Sequence, residues 1–176
     1  MNKKDTVVFD LDGTLLDTLE DLKNSVNYAM TQCGYPEHTL DEVRRYVGNG
    51  ILLLMQRAIP GGKDDPNFDK AFTLFKEHYG KHCNDTTKPY AGIMELLRTL
   101  KENNIKIAIV SNKADFAVKE LNAIYFKDLI PVAIGEKESE GIRKKPAPDT
   151  VIEALKQLGS TAENSVYIGD SDVDIE

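Results

Sequence analysis

The sequence predicts an α/β protein in which a parallel sheet flanked by helices carries an inserted, all-helical domain. A short apolar run near the amino terminus, Val7–Asp12, ends in two aspartates. About seventy residues of purely helical pattern follow, and from about Pro89 helical and strand patterns alternate, which is typical of a parallel sheet. We therefore assign residues 1–16 and 87–176 to a discontinuous α/β domain and residues 17–86 to the helical domain.

The first strand indicates where chemistry is expected. Val7–Phe9 are apolar β-formers without alternation, which predicts a strand buried on both faces. Side chains two residues apart in an extended backbone point to the same side, so the carboxylates of Asp10 and Asp12 converge. Adjacent carboxylates resist joint ionisation unless a cation lies between them, and a hard divalent cation, most simply Mg²⁺, prefers oxygen ligands. Gly13 then permits a tight turn or close backbone approach.

The helical domain is predicted to contain four helices. Asp17 or Thr18 is a candidate cap for the first helix, and Thr39 and Glu42 have the spacing of a capping box at the start of the second. Gly48–Gly50 interrupts the pattern before the third helix. The predicted helices cover residues 19–33, 40–47, 51–59 and 68–79.

The second half of the chain predicts the rest of the α/β domain. Polar clusters follow three of its strands, at Asp10–Asp12, Ser111–Lys113 and Gly169–Ser171. Ligands of open α/β sheets bind outside the carboxyl ends of the strands, so these clusters are expected to meet in one cleft. The predicted helices cover residues 93–100, 114–124 and 150–158, and the predicted strands cover residues 105–110, 130–134 and 166–168.

Composition excludes several functional classes. The net charge of −7 argues against a nucleic-acid or anionic-membrane surface. No apolar run approaches the length of a transmembrane helix, and Met1–Lys4 is not followed by the apolar segment of a signal peptide. Two cysteines, Cys33 and Cys83, are expected to be reduced thiols in a cytoplasmic protein.

Four ordered motifs carry a family resemblance. FDLDGTLLDT, SNK, KKPAPD and GDSDVDI resemble the motifs of the haloacid dehalogenase-like hydrolase superfamily, over residues 6–176. The helical insertion resembles the subgroup with a cap domain after the first motif, and Tyr46–Gly50 and Lys144–Asp149 look most like phosphoglycolate phosphatases. The resemblance implies a Rossmann-like core, Mg²⁺ as cofactor and a small phosphorylated metabolite as substrate.

The resemblance also implies roles for the acidic residues. Asp10 would be the nucleophile that forms an aspartyl-phosphate, and Asp12 the general acid and then the general base. The Asp10 carboxylate, the Asp12 main-chain carbonyl and Asp170 would hold Mg²⁺. Asp174 would steady Lys145 or a metal-bound water.

Phosphate and substrate contacts follow from the same resemblance. Ser111 and the backbone amide of Asn112 would bind phosphate oxygens, and Lys145 would neutralise charge on the transferred group. Gly48, Asn49 and Gly50 correspond to a cap loop that faces the active site in the family, which makes them candidates for substrate specificity.

Alternative interpretations stay open for several of these residues. Ser111 and Asn112 could cap the helix that begins near residue 114. Lys145 could be one of three solvated cations in Arg143–Lys145, and Gly48–Gly50 could be only a break between helices. We interpret Asp172 as a surface acid.

A histidine pair in the helical domain has a spacing that can bind zinc. His78 and His82 are four residues apart on a predicted helix, and Cys83 is adjacent. No further ligand accompanies them in register, so a solvated helix face is the favoured interpretation.

The expected function is hydrolysis of small phosphorylated metabolites, with phosphoglycolate first and a monomer or homodimer as the assembly. The alternatives are another sugar- or nucleotide-phosphate phosphatase, a phosphomutase, or a non-catalytic binding protein with the same fold. Family members continue beyond the fourth motif with a helix, a strand and a final helix. The resemblance therefore implies that a C-terminal strand and helices are missing, because the chain is a fragment or because its far end is not part of this sequence.

Overall fold

The computed structural model describes residues 4–175 and divides them into two compact units. One unit comprises the residues up to Leu16 together with those from Pro89 onward, and the other comprises Asp17–Lys88. The strands are β1 (Thr6–Phe9), β2 (Leu16–Asp17), β3 (Lys88–Pro89), β4 (Lys106–Ala114), β5 (Val132–Glu136) and β6 (Ser165–Ile168). The helices are α1 (Leu19–Gln32), α2 (Leu40–Tyr46), α3 (Ile51–Ala58), α4 (Phe68–His82), α5 (Ile93–Glu102), α6 (Asp115–Tyr125) and α7 (Asp149–Leu158).

The predicted α/β architecture is confirmed by a four-stranded parallel sheet of order β5-β4-β1-β6. The chain adds β4 and β5 on one side of β1 and then returns to place β6 on the other side. The carboxyl ends of β1, β4 and β6 are therefore neighbours, which is where an open α/β sheet binds its ligands.

Alternation along the strands gives the sheet two apolar faces. Phe9 and Ile109 are register partners and pack on one face in a buried cluster with residues of α5 and α6. Val8 and Ala108 are also partners and face the other way, in a cluster that includes Leu155 of α7. Burial on both faces explains why β1 reads as a continuous apolar run rather than an alternating one.

The helical unit is built around its own apolar core, with Val26, Met30, Met55 and Phe75 among the completely buried side chains. The predicted capping box of α2 is confirmed, because Thr39 and Glu42 exchange both expected hydrogen bonds. Thr18 is the residue before α1, as predicted, but its side chain makes no capping hydrogen bond.

A buried carboxylate that the sequence analysis missed joins the two ends of the helical unit. Asp21 on α1 is 1% exposed and accepts hydrogen bonds from the backbone amides and the hydroxyls of Thr86 and Thr87. Burial by itself raises the pKa of Asp21, but these hydrogen bonds outweigh it and the pKa lies below its usual value. The ionised carboxylate thus links the first helix of the helical unit to the last residues of that unit.

The largest differences from the predictions concern the strands. β4 continues through Ala114 rather than ending at residue 110, because an irregularity in its pairing with β5 after Val110 lets the polar segment stay extended. β5 begins only after Pro131, which has no amide to donate to the ladder. The short paired strands β2 and β3 were not predicted.

The end of the described chain also differs in detail. The last part of the fourth motif forms a single 3₁₀ turn over Asp172–Asp174 rather than the start of a regular helix, and the amide and the hydroxyl of Ser171 both donate to Oδ2 of Asp174. Glu176, the last residue covered by the family resemblance, lies outside the described residues. Within residues 4–175, none of the helices combines the length and the apolar character needed to cross a membrane.

Candidate active site

The predicted catalytic carboxylates lie at the carboxyl end of the sheet. Asp10 directly follows β1, and its backbone amide donates to the carbonyl of Ile168 at the end of β6 (2.9 Å). Asp170 and Asp174 come from the segment after β6. Each of these three carboxylates offers an oxygen within 4.8 Å of the oxygens of the others. The carboxylates that the sequence analysis selected from 29 acidic residues are therefore brought together.

A buried lysine lies among these acids. Lys145 is 4% exposed, and its Nζ is 3.0 Å from Oδ1 of Asp10 and 2.6 Å from Oδ1 of Asp174. It also donates to the hydroxyl of Tyr167 (2.8 Å). The alternative of Lys145 as a solvated cation is wrong, since an ammonium group is buried only where partners compensate its lost hydration.

Asp174 and Tyr167 fix the position of that lysine. The side chain of Asp174 is completely buried, and its second oxygen accepts from the amide and hydroxyl of Ser171. The Tyr167 hydroxyl lies 3.1 Å from both the Val110 carbonyl and Oδ1 of Asp174. Tyr167 was missed by the sequence analysis, because only its register beside Val8 turns its ring toward the face that holds Lys145.

Two glycines are required by close approaches in this site. Gly13 has a positive φ of 83°, and a Cβ there would lie 2.2 Å from an oxygen of Asp170. At Gly169, a Cβ would lie 2.3 Å from the carboxyl carbon of Asp174. Thr14 adds a hydrogen bond to Oδ1 of Asp170 (3.1 Å). The Gly-Thr pair after the first two aspartates therefore lets the first and last motifs come into contact.

The electrostatics of the carboxylates differ from one residue to the next. Burial raises the pKa of Asp10 to about 6, with Asp12 and Asp174 adding to the shift and Lys145 opposing it. Burial also raises the pKa of Asp170. For Asp174, burial is outweighed by the hydrogen bond and charge of Lys145, so its pKa is lowered. Asp174 is thus compensated by the lysine, whereas Asp10 and Asp170 keep excess negative charge.

The residues of β4 form a second layer of contacts. Asn112 exchanges two hydrogen bonds with the backbone of Lys145, one to its carbonyl (3.0 Å) and one from its amide (2.9 Å). Ser111 is buried, and its hydroxyl accepts from the amide of Lys113 (3.3 Å). The alternative that Ser111 and Asn112 cap α6 is wrong, since Ala114 occupies the N-cap position without a side-chain bond.

Asp12 has a partner that the sequence analysis did not predict. Nζ of Lys113 donates to both carboxylate oxygens of Asp12, at 3.0 and 3.2 Å. The side chain of Lys113 is 2% exposed and that of Asp12 is 15% exposed. Lys113 was visible in the sequence as the third residue of a polar cluster, but nothing there indicated which carboxylate it would meet.

The donor set of this site fits a hard divalent cation. Oδ1 of Asp10 is buried and makes no hydrogen bond of good geometry, and Lys145 supplies only one positive charge to a cluster of acids. Carboxylate oxygens are the ligands that Mg²⁺ prefers, and a cation there would favour the ionised forms of Asp10 and Asp170, whose pKa values are raised by burial and, to a smaller extent, by neighbouring carboxylates. Among the described residues, Asp10, Asp170 and Asp174 are the group of acidic, histidine or cysteine side chains with metal-binding spacing.

The predicted specificity residues belong to the helical unit. Gly48–Gly50 connects α2 to α3, and Arg57 on α3 holds this loop. The guanidinium of Arg57 donates to the carbonyl of Tyr46 and to Oδ1 of Asn49, both at 2.8 Å. The loop is therefore an ordered connection stabilised by the Arg57 side chain, which the sequence analysis did not predict.

The histidine pair is half-buried and has local partners, so it does not lie on a fully solvated helix face. His78 Nδ1 lies 3.0 Å from the buried hydroxyl of Ser25, and His82 Nδ1 lies 2.7 Å from Asp85. The two imidazoles stack at 4.3 Å, and Tyr28 stacks on His78 at 4.4 Å. These contacts join α1 to α4 and form no metal-binding cluster within residues 4–175.

Comparison with known proteins decides the family. The family model described as "Haloacid dehalogenase-like hydrolase" matches residues 7–176. The chain belongs to this family of hydrolases. The predicted resemblance is thereby confirmed, and the family together with its curated relatives identifies the chain as a phosphatase-type enzyme.

Two curated relatives and two crystal structures illustrate the similarity. The phosphoglycolate phosphatase of Aquifex aeolicus is 33% identical over 97% of this chain and 78% of its own length. That of Pseudomonas putida is 32% identical over 97% of this chain and 64% of its own length. A crystal structure from Lactobacillus delbrueckii subsp. bulgaricus has a TM-score of 0.88 and 34% identity, covering 98% of this chain and 81% of that one. A predicted phosphoglycolate phosphatase from Haemophilus somnus has a TM-score of 0.88 and 27% identity, covering 99% and 80%.

Proposed function

We propose that this hydrolase is a Mg²⁺-dependent phosphatase that forms an aspartyl-phosphate on Asp10 and acts on phosphoglycolate. The observation that carries the proposal is the cluster of Asp10, Asp170 and Asp174 at the carboxyl end of the sheet, with the buried Lys145 in contact with Asp10 and Asp174. The substrate is inferred from the relatives, whose names state phosphoglycolate phosphatase.

The proposed reaction has two steps. A carboxylate oxygen of Asp10 attacks phosphorus, the bond from phosphorus to the ester oxygen breaks, and Asp12 gives its proton to the departing alkoxide. Asp12 then removes a proton from water, which attacks phosphorus, releases inorganic phosphate and restores the Asp10 carboxylate. The sum is hydrolysis of the ester by one water molecule.

The other residues neutralise charge and hold the transferred group. Lys145 is positioned to compensate charge on the phosphoryl oxygens, and Ser111 and the amide of Asn112 are proposed as their hydrogen-bond donors. The carboxylates of Asp10 and Asp170 and the carbonyl of Asp12 are the proposed Mg²⁺ ligands. When bound, Mg²⁺ would lower the repulsion between the phosphate and the carboxylate nucleophile.

Turnover of para-nitrophenyl phosphate and of phosphoglycolate, each with and without Mg²⁺, tests the proposal. Asp10→Asn is expected to abolish turnover of both, since an amide oxygen is a far weaker nucleophile. Asp69→Asn, which changes an exposed acid on α4, is the matched control. Mg²⁺-independent turnover, or near-normal turnover by Asp10→Asn, would contradict the mechanism. If a substrate panel shows a preference for a sugar or nucleotide phosphate, the proposed substrate is wrong but the proposed mechanism still stands.

Asp12→Asn tests the acid–base role separately. We expect kcat/KM to fall by about 10²–10⁴, and to fall less for para-nitrophenyl phosphate than for an alkyl phosphate, because a good leaving group needs less protonation. Equal slowing of both substrates would remove Asp12 from the role of acid.

We also propose that the Gly48–Gly50 loop contributes to recognition of the phosphoglycolate carboxylate. Asn49→Asp keeps an oxygen acceptor for Arg57 but adds a negative charge, whereas Asn49→Ala removes the acceptor. Both are expected to lower kcat/KM for phosphoglycolate, with the larger loss in Asn49→Asp, and to leave para-nitrophenyl phosphate little changed. A parallel decline of both substrates would indicate a structural role for the loop.

A further inference from the structure

We infer that Lys113 is a positioning residue that holds the Asp12 carboxylate in its working orientation. The inference rests on the proposed function of Asp12, and it assigns a role to a lysine that does not belong to the charge cluster around Lys145. Three observations carry it: the burial of the lysine, the geometry of its contact with Asp12, and the fixed backbone from which it extends.

Burial is the first observation. The Lys113 side chain is 2% exposed, although it carries a long flexible stem that most lysines direct into water. A lysine is almost never fully buried unless a partner compensates its charge. By comparison, the ion pair of Lys119 with Asp115 on α6 lies at the surface, where the lysine side chain is 58% exposed. Such surface pairs contribute little to the free energy of unfolding.

The contact geometry is the second observation. Nζ lies 3.0 Å from Oδ1 and 3.2 Å from Oδ2 of Asp12, so the ammonium group contacts both oxygens. A contact to one oxygen would leave the carboxylate free to rotate about its last bond, whereas a contact to both restricts that rotation. Each carboxylate oxygen still has lone pairs for a substrate or a water molecule.

The third observation is that the backbone of Lys113 has little freedom. It lies in the irregular part of β4, between the register positions of Val110 and Ala114. A Cβ at Gly135 on β5 would lie 2.6 Å from the Lys113 carbonyl, so β5 approaches closely because that position is a glycine. The Lys113 amide donates to Ser111 Oγ (3.3 Å). The lysine therefore extends from a constrained strand.

Asp12, in contrast, lies beyond the end of β1 in an isolated bridge with Leu16, and its side chain is partly exposed. A carboxylate that exchanges protons with the leaving oxygen and with water needs a defined position, because small misplacements of a catalytic group slow a reaction strongly. Lys113 supplies that position from the neighbouring strand.

A double-mutant cycle with the full chain and Mg²⁺ tests this role. Lys113→Met is expected to reduce kcat/KM for an alkyl phosphate by about 10- to 100-fold and to reduce it less for para-nitrophenyl phosphate. In an Asp12→Asn background, Lys113→Met should cause no further loss. Lys113→Arg, which keeps a cation, should recover part of the activity, and Lys119→Met is the control that removes a surface pair.

Other outcomes would overturn the inference. If Lys113→Met raises KM equally with and without the Asp12 carboxylate, the lysine binds the substrate instead. Equal slowing of both substrates, with no recovery in Lys113→Arg, would also contradict the positioning role.

The thermal unfolding midpoint provides a readout that does not depend on turnover. Lys113→Met should lower the midpoint in the wild-type background but much less in Asp12→Asn, which no longer carries the carboxylate. If the wild type is inactive but the midpoints are coupled in this way, the proposed function fails and the Lys113–Asp12 contact stands. If the midpoint changes caused by the two substitutions are additive, the contact between Lys113 and Asp12 is refuted. The double variant can still be measured even if Lys113→Met alone folds poorly.

Discussion

Asp21 in the helical unit and Asp10 in the α/β unit are both buried carboxylates, but their surroundings are opposite. Asp21 accepts hydrogen bonds from two amides and two hydroxyls, and its pKa is lowered. Asp10 has one oxygen without a well-formed hydrogen bond, a single lysine nearby and acids around it, and its pKa is raised to about 6.

The difference is whether the protein itself compensates the charge of the carboxylate. The protein compensates the charge of Asp21 with its own donors, so ionisation of this residue favours the fold. At Asp10, ionisation is disfavoured unless an outside cation contributes. This condition suits the proposed roles of Asp10 as nucleophile and metal ligand, at some loss of stability.

The largest expected effect on stability comes from breaking the compensation within the α/β unit. Lys145→Met removes the ammonium group between Asp10 and Asp174 and leaves buried acids without a partner. We expect a loss of about 3–5 kcal/mol in the free energy of unfolding, measured in urea without Mg²⁺. Lys144→Met, next to it but at a partly exposed pair with Glu138, is the control and should change little. Equal effects of the two variants would contradict the described network.

The next effect concerns the compensated carboxylate. Asp21→Asn exchanges a charged acceptor for an amide that presents a donor to Thr86 and Thr87, and we expect a loss of about 2–3 kcal/mol in unfolding free energy. Since the folded-state pKa of Asp21 is depressed, its stabilisation is present above the unfolded pKa and is lost as the pH falls. The variant should therefore show a shallower loss of stability in acid than the wild type. An unchanged acid slope would show that Asp21 does not act through its charge.

Asp10→Asn is expected to change stability in the other direction. The raised pKa means that the charged form of Asp10 destabilises the metal-free fold. The free energy of unfolding therefore falls as the pH rises from the unfolded-state pKa through the folded-state pKa of about 6. Without Mg²⁺, the variant should gain about 1–3 kcal/mol at pH 7–8 and nothing near pH 3. A loss of stability at pH 7–8 would indicate that Lys145 compensates Asp10 fully.

The smallest effect is expected at the tyrosine beside the lysine. Tyr167→Phe removes the hydroxyl near Lys145, Asp174 and the Val110 carbonyl but keeps the ring. We expect a loss of about 1 kcal/mol in unfolding free energy. Tyr125→Phe, which changes a tyrosine on α6, is a matched control. A neutral result at Tyr167 would mean that its hydroxyl does not support the lysine.

The sequence predicted the fold class and the acidic site because both follow from local patterns. A doubly buried strand reads as a continuous apolar run, and the polar clusters after the strands placed Asp10, Ser111 and Asp170 at the ends of neighbouring strands. Lys145, which lies in the loop before α7, was assigned through the family resemblance. The family match then confirmed the fold class that those patterns indicated.

Residues whose roles depend on register or on distant contacts were not predictable. Tyr167 required the pairing of β6 with β1, and the partner of Lys113 required the irregular end of β4. The role of Asp21 could not be predicted, because its partners lie 65 and 66 residues later in the chain. Charge compensation across such separations depends on tertiary structure, which no local pattern shows.

Stabilisation of the fold by added Mg²⁺ is a direct test of whether Asp10 belongs to a cation site. At a concentration of about 100 times the dissociation constant, Mg²⁺ should raise the unfolding free energy of the wild type by about 2.7 kcal/mol, compared with a sodium salt of equal ionic strength. We expect the same gain in Asp21→Asn and little or none in Asp10→Asn. An equal gain in Asp10→Asn, or no gain in the wild type, would contradict the claim that Asp10 belongs to a cation site.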